Sequence, residues 1–233
     1  MNGSRIGTQK SRRRIKVAPV TRAVRIALAA SAAAFALVGP GTALAQSCVD
    51  DAGTTRCDGT FVTPIEISNA VDDVTVVVGG LDPSTMVAPD PNYTAISVYS
   101  AGDVSLDNQA SGVSSGYATA IMASAVGAVD VYSSGNVDAY AGVGIGAYSL
   151  DGDITVANSG SIDSSNYDDG YTSAGIIAYS QHGQVSTSNS GDIDSAGYGF
   201  ASGIVSYSID GNASATNTGD IDVDSYYGTA TGV

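Results

Sequence analysis

Apolar and polar positions alternate along the second half of this chain in a pattern that keeps restarting. Segments begin at Ala95, Ala120, Gly144, Gly175 and Gly203, and each places Ile second: Ile96, Ile121, Ile145, Ile176 and Ile204. Small or apolar residues follow at two-residue steps, as in Val98/Ser100, Ala123/Ala125, Ala147/Ser149, Ala178/Ser180 and Ser206/Ser208. A period of two marks a strand with one buried face. A second run repeats the logic with Val104/Leu106, Val129/Val131, Ile154/Val156, Val185/Thr187 and Ala213/Ala215 facing inward. A third, shorter run buries Val137, Ile162, Ile193 or Ile221. The restarts come 25, 24, 31 and 28 residues apart, a repeat length that belongs to stacked architectures.

Three short strands and three turns per repeat predict an all-β fold, a right-handed parallel β-helix (solenoid). Coils stack about 4.8 Å apart, with like residues over like. The inward residues are small, so the interior is narrow. The turn after the second strand carries Asn158-Ser159-Gly160, Asn189-Ser190-Gly191 and Asn217-Thr218-Gly219. Asn suits such a turn because it tolerates left-handed dihedrals and forms side-chain ladders. Extra residues in Ser164–Ala174 are expected to stand out as a loop. Residues 95–233 form the repeat region. The motif at Gly232-Val233 matches the start of a further coil without a closing segment, which implies a fragment of a longer repeat protein.

Residues 46–94 lack the full repeat, although Phe61-Val62, Ile65–Ile67 and Val74–Val78 are strand-like. Pro83, Pro89 and Pro91 then punctuate the chain. A repeat stack needs an atypical end unit to cover its edge, and this segment is read as that N-terminal cap. Cys48 and Cys57 lie within it and are expected to form one disulfide in an oxidising compartment. Zinc would need further ligands, and the single histidine, His182, is far along the chain.

The first 45 residues follow another pattern. A basic stretch runs to Arg25, an apolar run IALAASAAAFALV spans Ile26–Val38, and Gly39-Pro40-Gly41 breaks it. Ala43-Leu44-Ala45 then offers a cleavage site before Gln46, so residues 1–45 read as a signal peptide, helical in its apolar run. That run is too short for a permanent bilayer anchor. Arg12-Arg13-Arg14 resembles a twin-arginine signal, but Arg22 and Arg25 separate it from the apolar run, which favours the general secretory route.

Charge sharpens this division. Eight of nine basic residues precede position 26, and all 23 acidic residues follow position 49. Beyond Ala45 the chain holds one basic residue, Arg56, against those 23, a net charge of −22. Such a surface repels nucleic acid and anionic membrane, which excludes both as partners. With 29 Gly, 13 Tyr, three Phe and no Trp, the composition suits many short strands and turns.

Candidate chemistry is sparse. His182 occupies the turn position that Asp151 and Asp210 fill in neighbouring coils, so it reads as a turn residue, and no Gly-Asp-Ser-Gly-like nucleophile segment accompanies it. A lyase would want a basic catalyst, and beyond the signal peptide only Arg56 is basic. A hydrolase needs two carboxylates, but the Asp residues recur by repeat position rather than as one pair. No catalytic residue, metal site or cofactor is assigned. Asp138, Asp163, Asp194 and Asp222 should stack outward; calcium could relieve their repulsion, while solvated carboxylates are the better reading. Tyr99, Tyr148, Tyr179 and Tyr207 share one outward position and form a candidate surface ladder, able to bind sugar or protein but first of all a sheet-stabilising stack.

The long basic signal segment, the two-Cys N-terminal segment and the Asn-Ser/Thr-Gly-x-Ile-Asp repeats resemble the passenger region of bacterial type V autotransporters; similar repeats occur in two-partner-secretion adhesins. The resemblance covers essentially the whole chain. It implies a β-helix at the cell surface, exported through a C-terminal outer-membrane barrel whose long alternating strands are not present here. It also implies a stalk or adhesin-like role, without enzymatic activity, with host surfaces, polysaccharide or other cells as contacts. The alternative is a β-helical carbohydrate-active enzyme, a polysaccharide hydrolase or lyase.

Overall fold

The computed structural model describes residues 47–82, 84–140, 142–165 and 172–233, all within the compact unit Thr42–Val233. The signal segment and its Ala45–Gln46 cleavage site lie outside the described residues. So does most of the loop expected within Ser164–Ala174.

Every regular element described is a β-strand, and the strands form three sheets. Sheet I gathers the first strand of each coil: Ile65–Asn69, Ile96–Ser100, Ile121–Ala125, Val143–Ser149, Ser173–Ser180, Ala201–Ser208 and Ala230–Thr231. Sheet II holds Thr54–Asp58, Val74–Val78, Val104–Asn108, Val129–Ser133, Ile154–Asn158, Val185–Asn189 and Ala213–Asn217, with Ser47–Asp51 on its outer edge. Sheet III holds Thr60–Phe61, Met86–Val87, Gly112–Ser115, Asn136–Ala139, Ile162–Asp163, Ile193–Gly197 and Ile221–Ser225. The chain visits II, III and I in rotation, and each strand pairs in parallel with its counterpart one coil away. The result is a parallel β-solenoid of about six turns.

The register is the one the alternation predicts. Ile96, Ile121, Ile145, Ile176 and Ile204 stack in one column, all fully buried or nearly so. Val104, Val129, Ile154, Val185 and Ala213 stack in a second, and Val137, Ile162, Ile193 and Ile221 in a third. Strand pairing also carries the solenoid back beyond the expected start at Ala95. Ile65 and Ile67 pair with Ile96 and Val98, Val74 and Val76 pair with Val104 and Leu106, and Thr54–Cys57 pairs in parallel with Thr75–Val78. Only Ser47–Asp51 departs from the rule. It folds back antiparallel on Thr54–Asp58 through a tight turn at Ala52 and Gly53, whose φ values are 50° and 86°. Two positive φ values are what a type I′ hairpin turn demands. The Cys48–Cys57 disulfide joins the two hairpin strands.

Polar residues inside the solenoid are used in columns. At the end of sheet I strands, Ser149, Ser180 and Ser208 each donate to the turn Gly carbonyl of the preceding coil, at 2.6, 2.8 and 2.7 Å. Each also accepts the N–H of Gly152, Gly183 or Gly211 in its own turn. One hydroxyl therefore satisfies two backbone groups and ties one coil to the next. At the end of sheet II strands, Asn158 Nδ2 donates to Asn189 Oδ1, and Asn189 Nδ2 to Asn217 Oδ1, both at 2.7 Å. The same amides reach the carbonyls of Gly160, Gly191 and Gly219. Asn therefore serves as ladder, and the left-handed part of its expected role is corrected. Among described residues positive φ occurs only at Ala52, Gly53, Gly59 and Gly79.

The turn glycines answer to stacking instead. A Cβ on Gly160 would stand 2.0 Å from the carbonyl oxygen of Gly135 in the preceding coil. Coil backbones pass too closely there for any side chain.

Candidate functional site

The Tyr column exists as a register but not as an unbroken ladder. Tyr99 pairs with Ser124, which pairs with Tyr148, so Tyr99 is separated from the other three rings. Tyr148, Tyr179 and Tyr207 occupy consecutive coils of sheet I. Tyr179 and Tyr207 stack, with centroids 5.6 Å apart and planes 18° from parallel. Tyr148 behaves differently because its strand has Gly146 two residues earlier. The site of a Gly146 Cβ lies 3.0 Å from Tyr148 Cε2, so this ring leans along its own strand and covers the bare backbone. Burial there pushes the Tyr148 phenol pKa up. In the next two coils Ile177 and Val205 fill the position of Gly146, and such a lean is blocked.

A second aromatic set, which the alternation of strands did not reveal, lies on the turns between sheets III and I. Tyr117 and Tyr140 meet edge to face at 6.0 Å. Tyr198 stacks on Tyr226 at 5.6 Å and meets Tyr227 at 4.8 Å. These turns are aligned by backbone bonds from Tyr117 N–H to Pro91 O, Tyr140 N–H to Ser115 O and Tyr226 N–H to Gly197 O. The recurrence of Tyr a few residues after every third strand except Thr60–Phe61 was the available signal, hidden because turn lengths vary. Tyr198, Tyr226 and Tyr227, with Asp224, border a depression of about 640 Å³.

The carboxylate column stacks as expected: Asp138, Asp163, Asp194 and Asp222 are register partners in sheet III. Burial, followed by the charge of Asp163, raises the pKa of Asp138. Burial, followed by Asp163, Asp222 and Asp224, raises that of Asp194. Asp82, half-buried, and Asp90, exposed, sit on turns elsewhere, and their pKa values are lowered by hydrogen bonds from Ser84 and Asn92. Among the described residues no group of three or more His, Cys, Asp or Glu side chains is placed to hold a metal ion.

His182 stands in the turn that the repeat assigns to it. Its N–H donates to Leu150 O in the coil before, and its Nδ1 lies 2.5 Å from Asp210 Oδ2 in the coil after. Both side chains are about half exposed. The imidazole thus links two turns. Other turn carboxylates act likewise: Asp73 accepts Asp103 N–H, Asp103 accepts Ala128 N–H and Asp153 accepts Gln184 N–H. Part of the acidic chemistry is therefore spent on holding coils together.

Comparison with protein-family models, with characterised proteins and with solved structures returns no match.

Proposed function

We propose that this chain is an exported, non-enzymatic β-solenoid passenger of the autotransporter type, a surface stalk or adhesin-like element delivered by a barrel encoded with it. The observation that carries the reading is the evenness of the solenoid. Its inward columns repeat residue types from coil to coil, and its histidine and several of its carboxylates are engaged in coil-to-coil bonds. That is the economy of a spacer or contact surface, whose product is length and area. The right-handed winding belongs to this proposal, since parallel crossovers almost always take that hand. So does the signal peptide at residues 1–45, which fits a disulfide and a strongly acidic exterior.

The test is export. Produced in a Gram-negative host, the chain should be recovered from the periplasm beginning at Gln46. Fused ahead of an autotransporter barrel, it should reach the cell surface and be released by protease added outside. Retention in the cytoplasm with residues 1–45 still attached would overturn the proposal.

A carbohydrate-active β-helix is the second reading, favoured by the tyrosine-bordered depression with Asp224 at its edge. Release of reducing ends from acidic or neutral polysaccharides, lost in Asp224→Asn, would support it over the first.

A further inference from the structure

The outward side of sheet I differs from the rest of this acidic molecule. Its strands from Ile96–Ser100 to Ala201–Ser208 contain no acidic residue. Sheet III projects Asp138, Asp163, Asp194 and Asp222, and sheet II carries Asp107 and Asp130. In place of charge, sheet I presents Ile177 and Val205 in one outward column and Tyr148, Tyr179 and Tyr207 in the next. Leu150 and Ile209 prolong the face into its turns and are about half exposed. Ile177 and Tyr179 are half-buried, and Val205 and Tyr207 are more exposed because only Ala230–Thr231, in register with Ala201 and Ser202, follows their strand among the described residues. Among the described residues nothing covers this face.

Ring geometry distinguishes the kinds of occupant. Tyr179 and Tyr207 lie face to face across adjacent coils, so each occupies the other's π-face and offers outward only its edge and hydroxyl. A sugar ring packs against an aromatic face and does not find one between these two rings. Another sheet packs through side-chain edges at about 10 Å between backbones, and does. Tyr and aliphatic side chains with few charges are also the composition of protein interface cores.

From these observations we infer that sheet I is a self-association face, on which two copies of this chain pack sheet to sheet. Five strands at about 4.8 Å spacing and about seven residues of width give a footprint of about 500 Å² per copy. Two copies bury about 1,000 Å², at the lower bound for a specific interface, so the dimer is weak. Charge selects the partner's orientation as well as the face. Pairing through sheet I keeps the carboxylates of sheet III away from the contact. Asp151 and Asp210 stand at the corner beside the Tyr column. A two-fold axis parallel to the solenoid axis sets those corners on opposite sides of the interface and lays each Tyr column against the partner's Ile177–Val205 column.

Sedimentation equilibrium of the full chain tests this. The expected result is a reversible dimer with a Kd in the micromolar range that tightens several-fold from about 0.05 to about 0.5 M NaCl, because salt screens the repulsion between two acidic copies. Ile177→Lys should weaken the dimer at least about tenfold, as burying an unpaired charge in an apolar contact does. Ile209→Ser, on an exposed turn, should weaken it without threatening the fold, and thermal melts report whether each variant is folded. Thr155→Lys, outward on sheet II, should leave Kd unchanged. A monomer at about 200 µM, or a dimer indifferent to Ile177→Lys and Ile209→Ser, or one equally disrupted by Thr155→Lys, overturns the inference.

Discussion

Ser133 breaks the asparagine column. Its position in the register lies between Asn108 and Asn158, and its hydroxyl accepts from Asn108 Nδ2 at 3.1 Å. Serine is too short to donate onward, and the buried Oδ1 of Asn158 is left without a hydrogen-bond partner. Ser133→Asn would carry the ladder through, accepting from Asn108 and donating to Asn158. The expected gain is about 1 kcal/mol, measurable by urea unfolding; a loss of stability would mean that the column has no room for the amide. A second pairing is steric. Ala95 and Ala120 precede the coils whose third strands carry Val113 and Val137, whereas Gly144, Gly175 and Gly203 accompany Ile162, Ile193 and Ile221. A Cβ on Gly175 would lie 2.5 Å from Ile193 Cγ2 and 2.7 Å from Gly203 O. Ala plus Val and Gly plus Ile have the same number of side-chain carbons, so each coil conserves volume at this corner. Gly175→Ala should cost about 2 kcal/mol, and adding Ile193→Val should recover a small part of that: it removes Cδ1, 3.4 Å from the site of the new Cβ, and frees the shorter side chain to turn its γ-carbon away, while the carbonyl contact persists. Strictly additive effects in the double-mutant cycle would disprove the coupling. The inward Ile and Val positions were legible in the sequence because alternation reports burial directly. The volume exchange and the Ser and Asn bonding were not, because they connect residues whose neighbourhood exists only after stacking.

Among the elements, sheet III carries the electrostatic load. Asp138 and Asp194 bind protons more readily in the folded chain than in the unfolded one, since burial and then neighbouring carboxylates raise their pKa. A raised folded pKa contributes stability that is fully present below the unfolded value, near 4, and is lost as the pH rises through the folded value. Neutral pH is thus the costly condition for this sheet. Asp194→Asn should stabilise the chain at pH 7 by about 0.5 kcal/mol, with the advantage fading as the pH approaches 4 and shrinking in high salt. An advantage independent of pH would remove the electrostatic explanation. The strand order of the later coils was legible because each repeats an Ile, an apolar pair and an Asn-Ser/Thr-Gly turn. The earlier coils escaped notice although Ile65 and Val74 sit in register with Ile96 and Val104. Their turns use different residues, so the inward columns continue while the punctuation that advertises them does not. The Tyr column was legible as a position, but its ring arrangement was not, because it depends on Gly146 lying beside Tyr148 and Ile177 beside Tyr179.

Across the whole molecule, stability is distributed between neighbouring coils rather than gathered in one centre. The Cys48–Cys57 hairpin therefore acts locally. Replacing both cysteines by serine should cost about 2 kcal/mol where the hairpin edges sheet II. Hydrogen exchange should accelerate in Thr54–Asp58 and Val74–Val78 and stay unchanged in Ser173–Ser180. Uniform acceleration along the chain would instead mark the solenoid as one cooperative unit. The corner where Ala meets Val, or Gly meets Ile, has a consequence for ancestry. Both members of each pair lie within one coil, so the side-chain part of the fit travels with that coil when its coding segment is copied or lost, while a carbonyl of the next coil stands comparably close at each Gly. A gene built this way can lengthen or shorten by unequal recombination, each new coil arriving with its own steric match already made, and selection is left to adjust only the residues that face outward.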